Sequence, residues 1–119
     1  RGAERVVFVE RDSRKREVLE KNTAFIGARV EIYIMPAGRF IMRLKGEGSF
    51  DYVYLDPPYA FQGRPTLCKQ IGEGRLMSAT GTLIIHAPKE DPLPDLLGRL
   101  KIIERRFYGR SVLSFFKIL

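Results

Sequence analysis

Short β-branched apolar runs alternate with stretches whose apolar residues recur every three or four positions. This alternation constrains the fold more than any other feature. Val6-Val7-Phe8-Val9 is too short for a helix and suits a strand buried on both faces. Asp12 and Ser13 give an N-cap signal, and Val18, Leu19, Asn22, Phe25 and Ile26 continue as an amphipathic helix ending near Gly27. Val30 to Met35 reads as a second strand, stopped by Pro36, and Gly38 to Lys45 as a short helix with Phe40, Ile41 and Leu44 inward. Gly46-Glu47-Gly48-Ser49 is a turn or loop. Asp51 to Leu55 reads as a third strand, closed by Asp56-Pro57-Pro58-Tyr59. A helix is expected from about Pro65 through Leu67, Cys68 and Ile71 towards Met77, broken by Gly72 and Gly74. Thr82 to His86 reads as a fourth strand, and Pro88, Pro92 and Pro94 mark a connection with a weak helix over Leu93 to Leu100. Lys101 to Phe107 and Val112 to Ile118 flank Tyr108-Gly109-Arg110-Ser111 as a hairpin.

Strand and helix in turn imply an α/β fold with a mostly parallel sheet, made mixed by the closing antiparallel hairpin. The 119 residues, 45% hydrophobic, are read as one domain, residues 1–119. A chain of this size buries about two-thirds of its unfolded surface, enough for a core. One cysteine, Cys68, excludes an intramolecular disulfide and a cysteine-cluster zinc site, and a single histidine, His86, makes a histidine metal site poor. No apolar run approaches the roughly 18 residues of a membrane span. The net charge of +7 favours a polyanionic partner.

Ligands of open α/β sheets bind beyond the carboxyl ends of the strands. Three places qualify: Glu10, the Met35-Pro36-Ala37 turn, and Asp56-Pro57-Pro58-Tyr59. An acidic side chain at the end of the first strand can accept hydrogen bonds from both hydroxyls of a ribose, or it is a solvated charge. Asp and Pro also make ordinary turns. Here, however, the motif directly follows an aromatic, β-branched strand and sets Tyr59 just past two rigid prolines. A carboxylate beside a locked carbonyl can accept both protons of an exocyclic amine, and a neighbouring aromatic can stack on a base.

Asp56-Pro57-Pro58-Tyr59 resembles the (Asp/Asn)-Pro-Pro-(Tyr/Phe) signature of S-adenosylmethionine-dependent amino methyltransferases. Val7-Phe8-Val9-Glu10-Arg11-Asp12 resembles the ribose-binding strand end of that fold, and Arg105 to Phe116 resembles the closing hairpin of the RsmD-like subfamily. Members of that subfamily methylate the exocyclic amine of a guanine in small-subunit ribosomal RNA. The resemblance implies a Rossmann-like sheet, S-adenosylmethionine as cofactor and a cytoplasmic location. It implies cofactor contacts at Glu10, Arg11, Pro36 and Ala37, with Glu10 on the ribose. Asp56 and the Pro57 carbonyl, braced by Pro58, would hold the amine, and Tyr59 would stack on the guanine. Pro36 stands where family members usually carry an Asp or Asn that binds the adenine amine. The family's first strand and Gly-rich loop would precede Arg1, so the chain, which does not open on Met, is expected to be the C-terminal part of a methyltransferase domain. Without that central strand, the strands ending at Glu10 and Asp56 would pair directly or leave open edges, and a dimer or swapped assembly is expected.

Three basic groups complete the reading. Arg14, Lys15 and Arg16 crowd a first helical turn and read as solvated surface, and Arg39, Arg43 and Lys45 form the second group. Lys101, Arg105, Arg106 and Arg110 interleave with Phe107 and Tyr108, as an RNA-contacting surface would. Contacts to ribosomal RNA or an assembling small subunit are expected from Arg64, Arg105, Arg106, Tyr108 and Arg110. His86 and Cys68 are expected to be structural. Two rival readings remain: a non-catalytic RNA-binding fragment, and an enzyme acting on adenine or cytosine amines of DNA.

Overall fold

The computed structural model describes residues 3–27, 29–44, 50–58, 61–74 and 76–119. Two compact units emerge, residues 1–43 and 44–119. The expected turn at Gly46 to Ser49 lies outside the described residues, as do Lys45, Tyr59 and Ala60.

In the first unit, β1 (Arg5–Glu10) leads through a 3-10 turn (Ser13–Lys15) into α1 (Arg16–Thr23), followed by β2 (Arg29–Ile34) and α2 (Ala37–Arg43). The Asp12 side chain caps the turn by accepting from the Arg14 N–H at 3.0 Å. β1 and β2 are parallel, with Arg5 opposite Arg29 and Glu10 opposite Ile34. Two cations side by side on one face repel. Glu31, two residues after Arg29 and therefore on the same face, offsets this. It pairs with Arg5 and lies 3.3 Å from the Arg29 Nε, while the Tyr33 hydroxyl donates to it at 2.8 Å. The Arg5 hydrogen bonds, and then that from Tyr33, hold the Glu31 carboxyl down to about 2. Phe40 and Ile41 of α2 are buried, and Phe40 packs its ring against Tyr33 at 5.1 Å between centroids.

Two expectations are corrected in this unit. β1 is half-buried along its length rather than buried on both faces. The first helix ends at Thr23, whose hydroxyl donates to the Leu19 carbonyl at 2.7 Å, so Phe25 lies beyond the helix and is 84% exposed.

The second unit holds β3 (Phe50–Leu55), α3 (Arg64–Glu73), β4 (Met77–Pro88), β5 (Leu96–Leu97), β6 (Leu100–Tyr108) and β7 (Ser111–Ile118). Its sheet runs β3-β4-β7-β6-β5. β3 and β4 are parallel, with Leu55 opposite Ile85, and the other three pairings are antiparallel. The sheet is therefore mixed rather than mostly parallel. The terminal hairpin contributes two antiparallel pairings, because β7 inserts between β4 and β6, and β5 contributes a third.

Leu83, Ile85 and Ala87 of β4 alternate onto the same buried face as Val112, Ser114 and Phe116 of β7. α3 packs Leu67, Cys68 and Ile71 into this core, each large side chain contributing about 1.5–3 kcal/mol through burial. Burial pushes the Cys68 thiol up to about 12. Gly72 does not break the helix. A Cβ there would stand 2.9 Å from the Leu100 Cγ, so the missing side chain lets α3 approach β6 closely. Gly74 caps the helix, its N–H donating to the Gln70 carbonyl at 2.9 Å.

The helix expected over Leu93 to Leu100 is absent. Pro94 disfavours helical backbone at Leu93, the residue before it. Gly98, at φ +59°, instead turns β5 back on β6, pairing Leu97 with Leu100. The terminal hairpin forms as the sequence predicts, turning at Gly109 with φ +57°, a conformation glycine adopts at little cost.

The Glu31 cluster carries a pH signature. A carboxyl lowered in the folded state stabilises above its ordinary value near 4.5 and ceases to do so as pH falls through about 2. Glu31→Gln is expected to cost about 1 kcal/mol at neutral pH, as partly exposed ion pairs do. The gap to the parent should close as the pH falls through that range, measured by amide exchange of β1 and β2 across a pH series.

Candidate active site

Because β1 and β2 are parallel, Glu10 and Arg11 share one end of the first unit with Pro36 and Ala37. The Glu10 carboxylate does not float: its Oε1 accepts from the Asp12 N–H at 3.1 Å, and its Oε2 lies 3.9 Å from the Lys15 Nζ. Arg11 is exposed. The Pro36 carbonyl accepts from the N–H groups of Arg39 and Phe40 at 3.1 and 3.2 Å, starting α2. Having no polar side chain, Pro36 offers a ligand no side-chain hydrogen bond.

In the second unit, Asp56-Pro57-Pro58 leaves the carboxyl end of β3. The register that sets Leu55 opposite Ile85 brings the next residues, Asp56 and His86, together. The His86 Nδ1 lies 2.8 Å from the Asp56 Oδ1. An ionised carboxylate only accepts, so the Nδ1 facing it carries the proton. The Asp56 side chain stays 57% exposed and His86 24% exposed. His86 is thus part of the site, although its sequence position suggested a structural role. Desolvation, and then the Asp56 charge, raise the Tyr54 hydroxyl above its usual range. Tyr59 lies outside the described residues.

Arg64, at the start of α3, is 1% exposed, which corrects the expectation that it meets RNA. Its guanidinium folds back over the segment after Asp56. Nη1 donates to the Phe61 carbonyl at 2.7 Å and Nη2 to the Pro58 carbonyl at 2.8 Å, with a weak 3.5 Å contact to the Pro57 carbonyl. Asp91 approaches at 3.6 Å. The two proline carbonyls and that of Phe61 would otherwise need other partners, and a planar fork of donors collects them. The Pro57 carbonyl, bonded only weakly among the described residues, keeps its capacity to accept.

The hairpin cations divide into two sets. A bulge between Ile102 and Glu104 shifts the register, so that Ile102 faces Phe116 whereas Arg105 faces Ser114, both partners on the buried face of β7. Arg105 is therefore drawn inward, donating to the Leu93 carbonyl at 2.7 Å and pairing with Asp95 at 2.8 Å. Its side chain stays 29% exposed. Arg106 pairs with Glu104 and lies 5.1 Å from the Phe115 ring centroid. Tyr108 and Arg110 stand exposed at the turn.

Arg64→Ala should lower stability by about 2–3 kcal/mol, since it removes a buried side chain and its charged hydrogen bonds to part-buried carbonyls. Arg64→Lys should recover little, because an ammonium does not reproduce the fork. Asp91→Asn should cost less than about 1 kcal/mol, since Asp91 is 66% exposed. Urea unfolding of the three variants checks this order.

The Bacillus subtilis protein named "Putative rRNA methyltransferase YlbH" is 28% identical over 98% of this chain, and the chain spans 65% of that relative's length. A solved structure of a conserved hypothetical protein of Streptococcus pyogenes matches with a TM-score of 0.88 at 28% identity, covering 98% of this chain and 72% of the other. The structure named as a putative methylase of Haemophilus influenzae matches with a TM-score of 0.83 at 20% identity, covering 98% and 74%, and shows a shared α/β fold. Residues 1–117 match the family described as conserved hypothetical protein 95, and the chain belongs to this RsmD-like family.

Proposed function

We propose that the protein transfers a methyl group from S-adenosylmethionine to the exocyclic amine of a guanine in small-subunit ribosomal RNA. The observation that carries this reading is the pair of acceptors at the end of β3: an exposed Asp56 carboxylate and a Pro57 carbonyl held in place but weakly bonded. Asp56 accepts one amine proton and the Pro57 carbonyl the other, which fixes the plane of the nitrogen and aims its lone pair. Tyr59 stacks on the guanine. The cofactor, when bound, supplies a methyl group already activated on a sulfonium, so positioning contributes most of the acceleration.

Glu10 fits the ribose of that cofactor. Its carboxylate is oriented by the Asp12 N–H yet retains lone pairs for two hydroxyls. Arg11 and Ala37 flank the same end, and the Pro36 side chain brings no hydrogen bond to the adenine. Arg106, Tyr108 and Arg110 present charge and an aromatic ring at the hairpin tip, which suits an RNA partner such as the assembling small subunit. The name given to the Bacillus subtilis relative supports the RNA substrate.

Asp56→Ala should lower kcat for methyl transfer to small-subunit RNA by about 100-fold, the scale of a lost positioning contact. Full activity in this variant would overturn the reading. Glu10→Ala should weaken S-adenosylmethionine binding by about tenfold in calorimetric titration, through loss of charged hydrogen bonds. Arg110→Ala should weaken RNA binding and reduce its salt slope by about 1.

A further inference from the structure

We infer that His86 is a positioning residue that fixes the Asp56 carboxylate for the amine of the substrate; this rests on the methyl-transfer reading above. Asp56 lies just past the end of β3 with a side chain 57% exposed, where a free carboxylate would sample several rotamers. Freezing it only when substrate arrives costs conformational entropy. The 2.8 Å bond to the His86 Nδ1 settles that orientation beforehand. It occupies Oδ1 and leaves Oδ2 to the amine.

The imidazole can serve this purpose because it stands on a fixed base. His86 lies within β4, paired with Leu113 of β7 on one side and in register beside the end of β3 on the other. Its neighbours in β4, Ile85 and Ala87, are buried against the core. Asp56 belongs to a loop and His86 to a central strand, so the hydrogen bond transmits the strand's rigidity to the loop.

The chain contains a single histidine, so imidazole signals need no assignment. Nitrogen NMR of the neutral ring should show the proton on Nδ1, and Asp56→Ala should shift it towards Nε2. An unchanged tautomer in Asp56→Ala would overturn the inference. In methyl-transfer kinetics, His86→Leu should lower kcat about tenfold while the KM for small-subunit RNA changes less than about twofold, as misplacement of one contact predicts. His86→Asn, whose amide can donate from near the Nδ1 position, should return kcat to within about threefold of the parent. If His86→Leu fails to fold, His86→Gln, whose amide reaches the Nε2 rather than the Nδ1 position, takes its place: a tenfold loss there beside near-parental kcat in His86→Asn supports the role, and parental kcat in both overturns it. A parental kcat in His86→Leu, with Asp56→Ala inactive, defeats the inference and leaves the methyl-transfer reading standing. Full activity in Asp56→Ala defeats both.

Discussion

The second unit depends on the parallel register that sets Leu55 opposite Ile85. A shift of one residue would turn Leu83, Ile85 and Ala87 away from α3 and bring Ile84 and His86 into the core. The cost of burying an imidazole where Ile85 now packs makes the register steep. The same register places Asp56 beside His86. The hydrophobic pattern of β4 therefore does two things at once: it closes the core and it brings an acceptor and a donor together at the strand ends.

Arg64 shows how an irregular segment is held without secondary structure. Prolines at 57 and 58 leave carbonyls but no N–H groups, so the stretch after β3 is rich in acceptors. A buried guanidinium is expensive unless its donors are used. Here two of its nitrogens are met by backbone carbonyls, and the exposed Asp91 adds charge compensation. The Nε finds no hydrogen-bond partner among the described residues, a residual cost of aiming the fork at the loop.

Much of this was legible in the sequence. β-branched runs gave the strands, and the Tyr108-Gly109-Arg110-Ser111 signal gave the hairpin. What escaped depends on pairing rather than on local pattern. Arg105 turns inward because a bulge near Ile103 reverses the alternation of β6, and no local preference marks that residue as the extra one. Arg64 reads as a surface cation because its burial is rewarded only once the carbonyls of Pro57, Pro58 and Phe61 gather around it. The helix expected near Leu96 lost to a Gly98 turn that a partner strand stabilises. His86 could have been found, since the sequence reads the third strand as closed by Asp56 and the fourth as ending at His86, and parallel neighbours share an end.

The missing side chain at Gly72 acts as a spacer with mechanical reach. Eight residues along one helix separate it from Arg64, a rise of about 12 Å. Because α3 is a single rigid element, the gap between Gly72 and Leu100 sets the height of the whole helix over the sheet. A larger residue at 72 would lift that end and tilt the other, dragging the guanidinium off its carbonyls. A contact with no polar atom, far from Asp56, is thus the adjusting screw for the segment on which Asp56 sits.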